Sequence, residues 1–256
     1  MNQTVHPLTP PLLHLSPPHS CGYLPVSDAA TLFVETTWPM NPLLYEWLLQ
    51  RGFRRSGSHV YRPYCSACNE CLPIRLSVRQ FHPQRSLKRV IEKNKDLSVS
   101  LHPAGYTDER FKLYQRYLQN RHADGTMANP KPEDFSDFLL SHWGMTLFVE
   151  FRRDHRLLAV AVVDLLPHSL SAVYTFFDPD EHARSPGTLA ILWQVQYAIE
   201  QQLEWLYLGY WIRNCRKMSY KSRFQPLEVH KMQRWQPFSL IEKNDPMTMG
   251  FPPSPS

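Results

Sequence analysis

The sequence predicts a mixed α/β fold, α+β in its ordering, with a smaller cysteine-bearing N-terminal region and a larger C-terminal sheet domain. Three observations carry that expectation. The segments NPLLYEWLLQRG and QRSLKRVIEKNKDL place apolar residues at helical spacing. The later runs MTLFVEF, LLAVAVVDLL and LSAVYTFFDP are β-branched or aromatic and are parted by short polar turns, as in an antiparallel meander. Between the two helical segments, YCSACNEC packs three cysteines into seven residues.

With 256 residues the chain can bury a real core, as one large domain or two modest lobes. Its 43% hydrophobic and 20% charged residues exclude a disordered or fibrous chain. No apolar run approaches the roughly 20 residues that cross a bilayer, and the opening MNQTVHPLTPPLLHLSPPHS lacks a basic n-region and a continuous apolar h-region. A cytoplasmic, membrane-free protein is expected, and a monomer. The net charge is +5, unevenly spread: eleven Lys/Arg against four Asp/Glu from Arg75 to Arg121, and seven against one from Arg213 to Arg234. Such clustering attracts a phosphate backbone, although a solvated basic surface has the same composition.

The first 19 residues hold five prolines, so 1–20 is expected to be disordered, and DPMTMGFPPSPS makes 239–256 a flexible tail. Residues 21–97 form the expected cysteine-cluster region and 98–238 the sheet domain. Asn41 can cap the first helix, Pro42 suits its first position and Gly52 its end. HVYRPY and PIRLSV read as strands entering and leaving the cysteines. From Gln84 to Leu97 a helix is expected with Leu87, Val90, Ile91 and Leu97 inward and Arg85, Arg89 and Lys93 outward, Lys88 beside them. A further helix runs from Thr107, a cap, to Arg121, with Phe111, Tyr114, Tyr117 and Leu118 inward. After the three-strand meander, GTLAILWQVQYAIEQQ is an amphipathic helix and EWLYLGYWI a strand. The order β-β-β-α-β suggests an acyltransferase-like sheet.

Cys65, Cys68 and Cys71 stand at C-x2-C-x2-C spacing, which lets neighbouring thiolates turn toward one ion. Cys21 in CGYLP is the expected fourth ligand, with His59 or His82 as substitutes, and zinc and an iron–sulfur cluster both accept such a set. Cys215 stands apart and reads as a structural thiol before a nucleophile.

Four motifs in order, CGYLP, YRPYCSACNECLPIR, YTFFDP with SPGTLAILWQ, and LGYWIRNCRKMSYKSRFQPLE, resemble the bacterial aspartate/glutamate leucyltransferases, relatives of the eukaryotic arginyl-tRNA-protein transferases. The resemblance runs from Cys21 to Phe238. It implies a C-terminal domain similar to the GNAT fold, leucyl-tRNA and proteins beginning with Asp or Glu as partners, and a role in N-degron proteolysis. The compact length resembles the leucyl branch. One departure bears on the donor: a loop for the pyrophosphate of acetyl-CoA follows R/Q-x-x-G-x-G/A, whereas ARSPGTLA has Arg184, Gly187 and then Leu189, with Pro186 where the family more often has Leu. Acetyl-CoA is disfavoured.

The implied reaction is ester aminolysis by an α-amine with an unperturbed pKa of about 7.7–8.0, and the ester is already activated, so no nucleotide cofactor is expected. Acceptor selection calls for a cation that can grip a carboxylate: Arg75 first, then Lys221 and Arg223. Asp178 is the candidate to orient or deprotonate the amine, and Tyr174, Tyr220 and Lys221 to stabilise the tetrahedral intermediate. Arg85, Lys88, Arg89 and Lys93 are the candidate tRNA contacts. Rival readings are a GNAT-type N-acetyltransferase and a non-enzymatic zinc-ribbon-like RNA-binding protein.

Overall fold

A computed structural model describes residues 10–24, 28–121, 129–213, 215 and 217–243. Of the expected loose ends, 1–20 and 239–256, the parts 1–9 and 244–256 lie outside these, while Ser239–Lys243 is helical and buries Ile241 against the core. The first part of the chain forms β1 (Leu13–Leu15), β2 (His19–Ser20), β3 (Asp28–Ala29), β4 (Thr31–Val34), α1 (Pro42–Leu49), β5 (Arg54–Ser56), β6 (His59–Pro63) and β7 (Leu72–Ser77). There follow α2 (Arg85–Lys93), β8 (Ser98–Pro103), α3 (Asp108–Arg121), α4 (Pro132–Leu139), β9 (Met145–Arg153), β10 (Arg156–Leu165) and β11 (Ser169–Phe177). The chain ends through α5 (Pro186–Glu200), β12 (Trp205–Trp211), β13 (Leu227–Lys231), β14 (Arg234–Pro237) and α6 (Ser239–Lys243).

An eight-stranded sheet in the order β14-β13-β7-β12-β11-β10-β9-β8 is the frame, and a four-stranded sheet β1-β4-β6-β5 lies beside it. The mixed α/β class is therefore as expected, and the β-β-β-α-β order appears as β9, β10, β11, α5 and β12. β10 shows why LLAVAVV reads as a continuous apolar run: Ala159, Ala161 and Val163 enter the core under α2 and α5, while Val160 and Val162 enter the core under α3 and α4. A third core, around Tyr45, Leu48, Val60 and Leu166, joins α1 and the small sheet to the frame.

The helix signals hold locally. Asn41 Oδ1 accepts from Leu44 N at 3.0 Å at the start of α1, and Thr107 Oγ1 accepts from Arg110 N at 3.2 Å at the start of α3. Pro186 occupies the first turn of α5, where its missing N–H is not needed.

Three differences from expectation have physical causes. Residues 10–20 are not all disordered, because β1 pairs backbone to backbone with β4 while its side chains stay exposed; side-chain patterning cannot reveal such a strand. β7, inside 21–97, is a central strand of the large sheet, pairing with both β12 and β13 and burying Leu72, Ile74 and Leu76. The helix expected from Gln84 to Leu97 ends at Lys93. There Asn94 turns its amide onto Val90 O and Arg184 O at 2.7 and 3.0 Å, and Ile91 is left exposed.

Candidate active site

The frame opens between two of its central strands. β11 and β12 run parallel, but they pair only from Ser169↔Trp205 to Ser171↔Tyr207. Both strands bulge where the pairing stops. Against β10, Val162 faces Tyr174 and Val163 faces Ala172, which leaves Val173 unmatched. Against β7, Tyr207 faces Arg75 and Tyr210 faces Pro73, so an extra residue of β12 is accommodated around Gly209. A bulge frees carbonyls from the ladder and re-aims side chains. Gly209 has φ +72, a left-handed conformation costly for any residue with a Cβ.

Two basic side chains stand at this opening. Arg54 Nη2 donates to Val173 O at 3.3 Å, and Lys221 Nζ donates to Leu208 O and Tyr210 O at 2.7 and 2.8 Å. A Cβ on Gly209 would stand 3.2 Å from Arg54 Nη1 and 3.9 Å from Lys221 Nζ, so the glycine leaves space for both. Arg54 owes its position to its neighbour. Side chains alternate across a strand, and Arg55 turns the other way into a fully buried pair with Asp164, its Nε and Nη2 donating at 2.7 Å each. Arg55 also donates to Gly57 O, Leu139 O and Thr146 Oγ1. β5 is thus pinned to β10, and Arg54 must face the opening.

Phenols line the rest. Tyr61, Tyr23 and Tyr210 face Arg54, and Tyr210 donates its hydroxyl proton to Gly52 O at 3.0 Å. On the other side Tyr174 packs against Tyr114, Tyr117 and Phe138, with Tyr220 and Arg121 beside Tyr117. Burial pushes Tyr220 up to about 12 and Tyr174 higher still, so both keep their protons near neutral pH and can only donate or accept as neutral groups. Lys221 is shifted the opposite way. Burial first, then the charge of Arg54, lowers its ammonium to about 7. With two N–H groups held by carbonyls, its remaining position alternates between a proton and a lone pair near neutrality.

The other residues singled out from sequence fall elsewhere. The Asp178 carboxylate does not stand free for an amine: Arg116 Nη1 donates to it at 3.0 Å, Arg156 pairs with it closely, and it caps the following turn by accepting from Asp180 N at 3.1 Å. Two guanidinium partners occupy its lone pairs and make it the anchor that ends β11. Arg75 is also engaged. Its Nε donates to Glu228 at 2.8 Å, and its guanidinium lies 3.6 Å from the ring centre of Trp205 and 4.3 Å from that of Trp235. It lines a separate cleft of about 600 Å³ with Arg51, Arg62 and His230. Arg223 is exposed at the end of a 3-10 turn, Ser219–Arg223. Arg85, Lys88 and Arg89 are exposed on α2, whereas Lys93 donates to Ala183 O at 2.7 Å.

Cys21, Cys65, Cys68 and Cys71 are free thiols, each partly buried. Burial pushes the Cys71 thiol up to about 12, and the thiolates of Cys21, Cys65 and Cys68 add to the rise, so the four are mutual electrostatic neighbours. A bound cation would reverse that repulsion, and four thiols suit zinc or an iron–sulfur cluster. Among the described residues no three His, Cys, Asp or Glu side chains are yet close enough to ligate one ion. Cys215 is buried beside Lys221.

Arg54, Gly209 and Tyr210 were not singled out by sequence. Two signals point to them: a lone glycine inside the strand-like EWLYLGYWI, which marks a bulge or close approach, and the doubled arginine of GFRRSG, which alternation sends to opposite faces.

Known proteins match this chain over most of its length. Residues 19–89 match the family description "Arginine-tRNA-protein transferase, N terminus" and residues 109–231 "Arginine-tRNA-protein transferase, C terminus". Proteins named aspartate/glutamate leucyltransferase from Pseudomonas fluorescens (strain SBW25) and Pseudomonas syringae pv. tomato (strain ATCC BAA-871 / DC3000) are each 52% identical over 85% of this chain and 93% of their own length. The solved structure of FemX overlays with a TM-score of 0.47 at 6% identity, covering 73% of this chain and 66% of that one. Identity of this order, spanning both halves and the strands that form the opening, means that the chain belongs to the arginine-tRNA-protein transferase family, on the side of its aspartate/glutamate leucyltransferases.

Proposed function

We propose that this protein moves leucine from leucyl-tRNA to the α-amine of proteins whose first residue is Asp or Glu, marking them for N-degron proteolysis. The observation that carries the proposal is the opening between β11 and β12, where Lys221 and Arg54 stand together with no acid between them among the described residues. An aminoacyl ester, an amine and a carboxylate can meet there.

The step forms a bond from the acceptor's α-nitrogen to the ester carbonyl carbon and breaks the bond from that carbon to the tRNA 3′ oxygen. The nitrogen's proton passes to the neutral amine of Lys221, which then returns it to the departing oxygen. Tyr174 and Tyr220, protonated and on the cleft wall, donate hydrogen bonds to the tetrahedral oxyanion. Asp178 acts at a distance by fixing the end of β11. Holding donor and acceptor ends together supplies much of the acceleration. Arg85, Lys88 and Arg89 follow phosphates of the tRNA, with Lys93 tying α2 to the turn before α5. Cys21, Cys65, Cys68 and Cys71 are the residues that would hold zinc or an iron–sulfur cluster, which would tie down the loop between β6 and β7. No helix among the described residues is long and apolar enough to cross a membrane, and we place the protein, as a monomer, in the cytoplasm with charged tRNA.

Acetyl-CoA is the competing donor. Against it, Arg184 of ARSPGTLA is committed to Asp96 at 2.8 and 2.9 Å and to Glu181 at 2.9 Å. Labelled leucyl-tRNA and acetyl-CoA, each incubated with peptides beginning with Asp, Glu or Ala, test the reading. Label should pass from leucyl-tRNA to the Asp and Glu peptides alone. Transfer from acetyl-CoA only, or from no charged tRNA, overturns it.

A further inference from the structure

Arg54 differs from four of the arginines that reach into the fold; Arg51 and Arg62, which bond to backbone carbonyls, pair with no carboxylate either among the described residues. Arg55, Arg75, Arg110 and Arg184 each meet a carboxylate, on Asp164, Glu228, Glu150 and Asp96 respectively. Arg54 meets none among the described residues. Its one hydrogen bond there goes to Val173 O, and the groups facing it are phenols. Burial pushes Tyr23 and Tyr210 above their ordinary value, so these phenols are neutral at working pH and supply no counter-charge. Lys221 beside it bonds to two backbone carbonyls and to no acid among the described residues. Withdrawing a guanidinium from water is unfavourable unless an anion meets it, and none of the described residues supplies one.

The fork has been given a fixed direction. The buried Arg55–Asp164 pair sets β5 against β10, and the bare Gly209 leaves the space into which Nη1 points. Arg54 Nη1 and Lys221 Nζ lie 3.2 and 3.9 Å from the same point, the Cβ position of residue 209. The two cations are thus no more than about 7 Å apart, close enough for one acidic residue to reach both, its amine to Lys221 and its carboxylate to Arg54. A planar guanidinium matches a carboxylate bidentately.

We infer that Arg54 is the specificity-determining residue for the acceptor, gripping the side-chain carboxylate of an N-terminal Asp or Glu while Lys221 faces the α-amine. The inference rests on the leucyl transfer proposed above and gives acceptor selection to Arg54 rather than to Arg75, whose fork is taken by Glu228.

The test is transfer from leucyl-tRNA to two peptides alike except for their first residue, Asp in one and isosteric, uncharged Asn in the other. Wild type should favour Asp by about 100-fold or more in kcat/KM. Arg54→Gln should lower the Asp value by about 100-fold, largely through KM, and leave Asn within about threefold, so that the two acceptors become nearly equivalent. Arg54→Lys, which keeps the charge and loses the fork, should still reduce the preference by about tenfold. Should the Gln variant not fold by circular dichroism, the Lys variant decides. An unchanged Asp/Asn ratio overturns the inference, as does equal loss on both acceptors, which assigns Arg54 to the donor end. So does a wild type that treats the two acceptors alike. A wild type inert toward both overturns the transfer reading itself.

Discussion

Lys221 carries a proton only part of the time, and two consequences follow. As the proton acceptor in aminolysis, its loss in Lys221→Met should reduce kcat by about 100-fold or more, read in single-turnover transfer, with leucyl-tRNA affinity retained; a kcat near wild type rejects the role. The second consequence concerns stability. Folding lowers this ammonium from its ordinary 10.5 to about 7. Below pH 7 both the folded and unfolded chains hold the proton, and the folded one bears the full desolvation of the charge. Between about 7 and 10.5 only the unfolded chain holds it, so stability rises with pH across that window. Wild type should gain stability relative to Lys221→Met as denaturation midpoints are followed from pH 7 to 10.5, and parallel curves contradict the shift. The sequence showed a lysine among basic residues, but the burial and the Arg54 charge that lower it come from elements it does not belong to.

At the scale of elements, β5 is positioned by charge rather than by apolar burial. Its Arg55 guanidinium and the Asp164 carboxylate of β10 are almost wholly excluded from water. Arg55→Met leaves Asp164 uncompensated and should cost about 3–5 kcal/mol in urea unfolding, most of it recovered when Asp164 is also made apolar; a loss under about 1 kcal/mol argues against the anchor. The outer face of α2 is testable independently. Arg85 and Arg89 are exposed, and Ala at either should weaken leucyl-tRNA binding across tRNA sequences and lower the slope of log affinity against log salt by about 1. A wild-type slope in both variants removes α2 from the interface. Helix α2 was legible because period and polarity are local, whereas its early end was not, since Asn94 bonds to Arg184 far along the chain.

For the molecule as a whole, the cysteine loop joins the small sheet to the large one, between β6 and β7. Purified protein should carry zinc or iron, and Cys68→Ser should lose it and lower the melting temperature. Protein that carries neither metal and melts unchanged after the substitution counts against the cluster. The mixed α/β class, the strand and helix order of the second half, the caps of α1 and α3, the clustered cysteines and the family were all contained in the sequence, because periodicity, capping and motif spacing depend on near neighbours in the chain. Tertiary structure alone decided that β7 sits inside the large sheet, that Asp178 and Arg75 are already paired, and that Arg54 meets Lys221 beside Gly209. Those outcomes depend on which strands lie side by side and on which buried charges find a counter-charge, and both are settled by residues far apart in the chain.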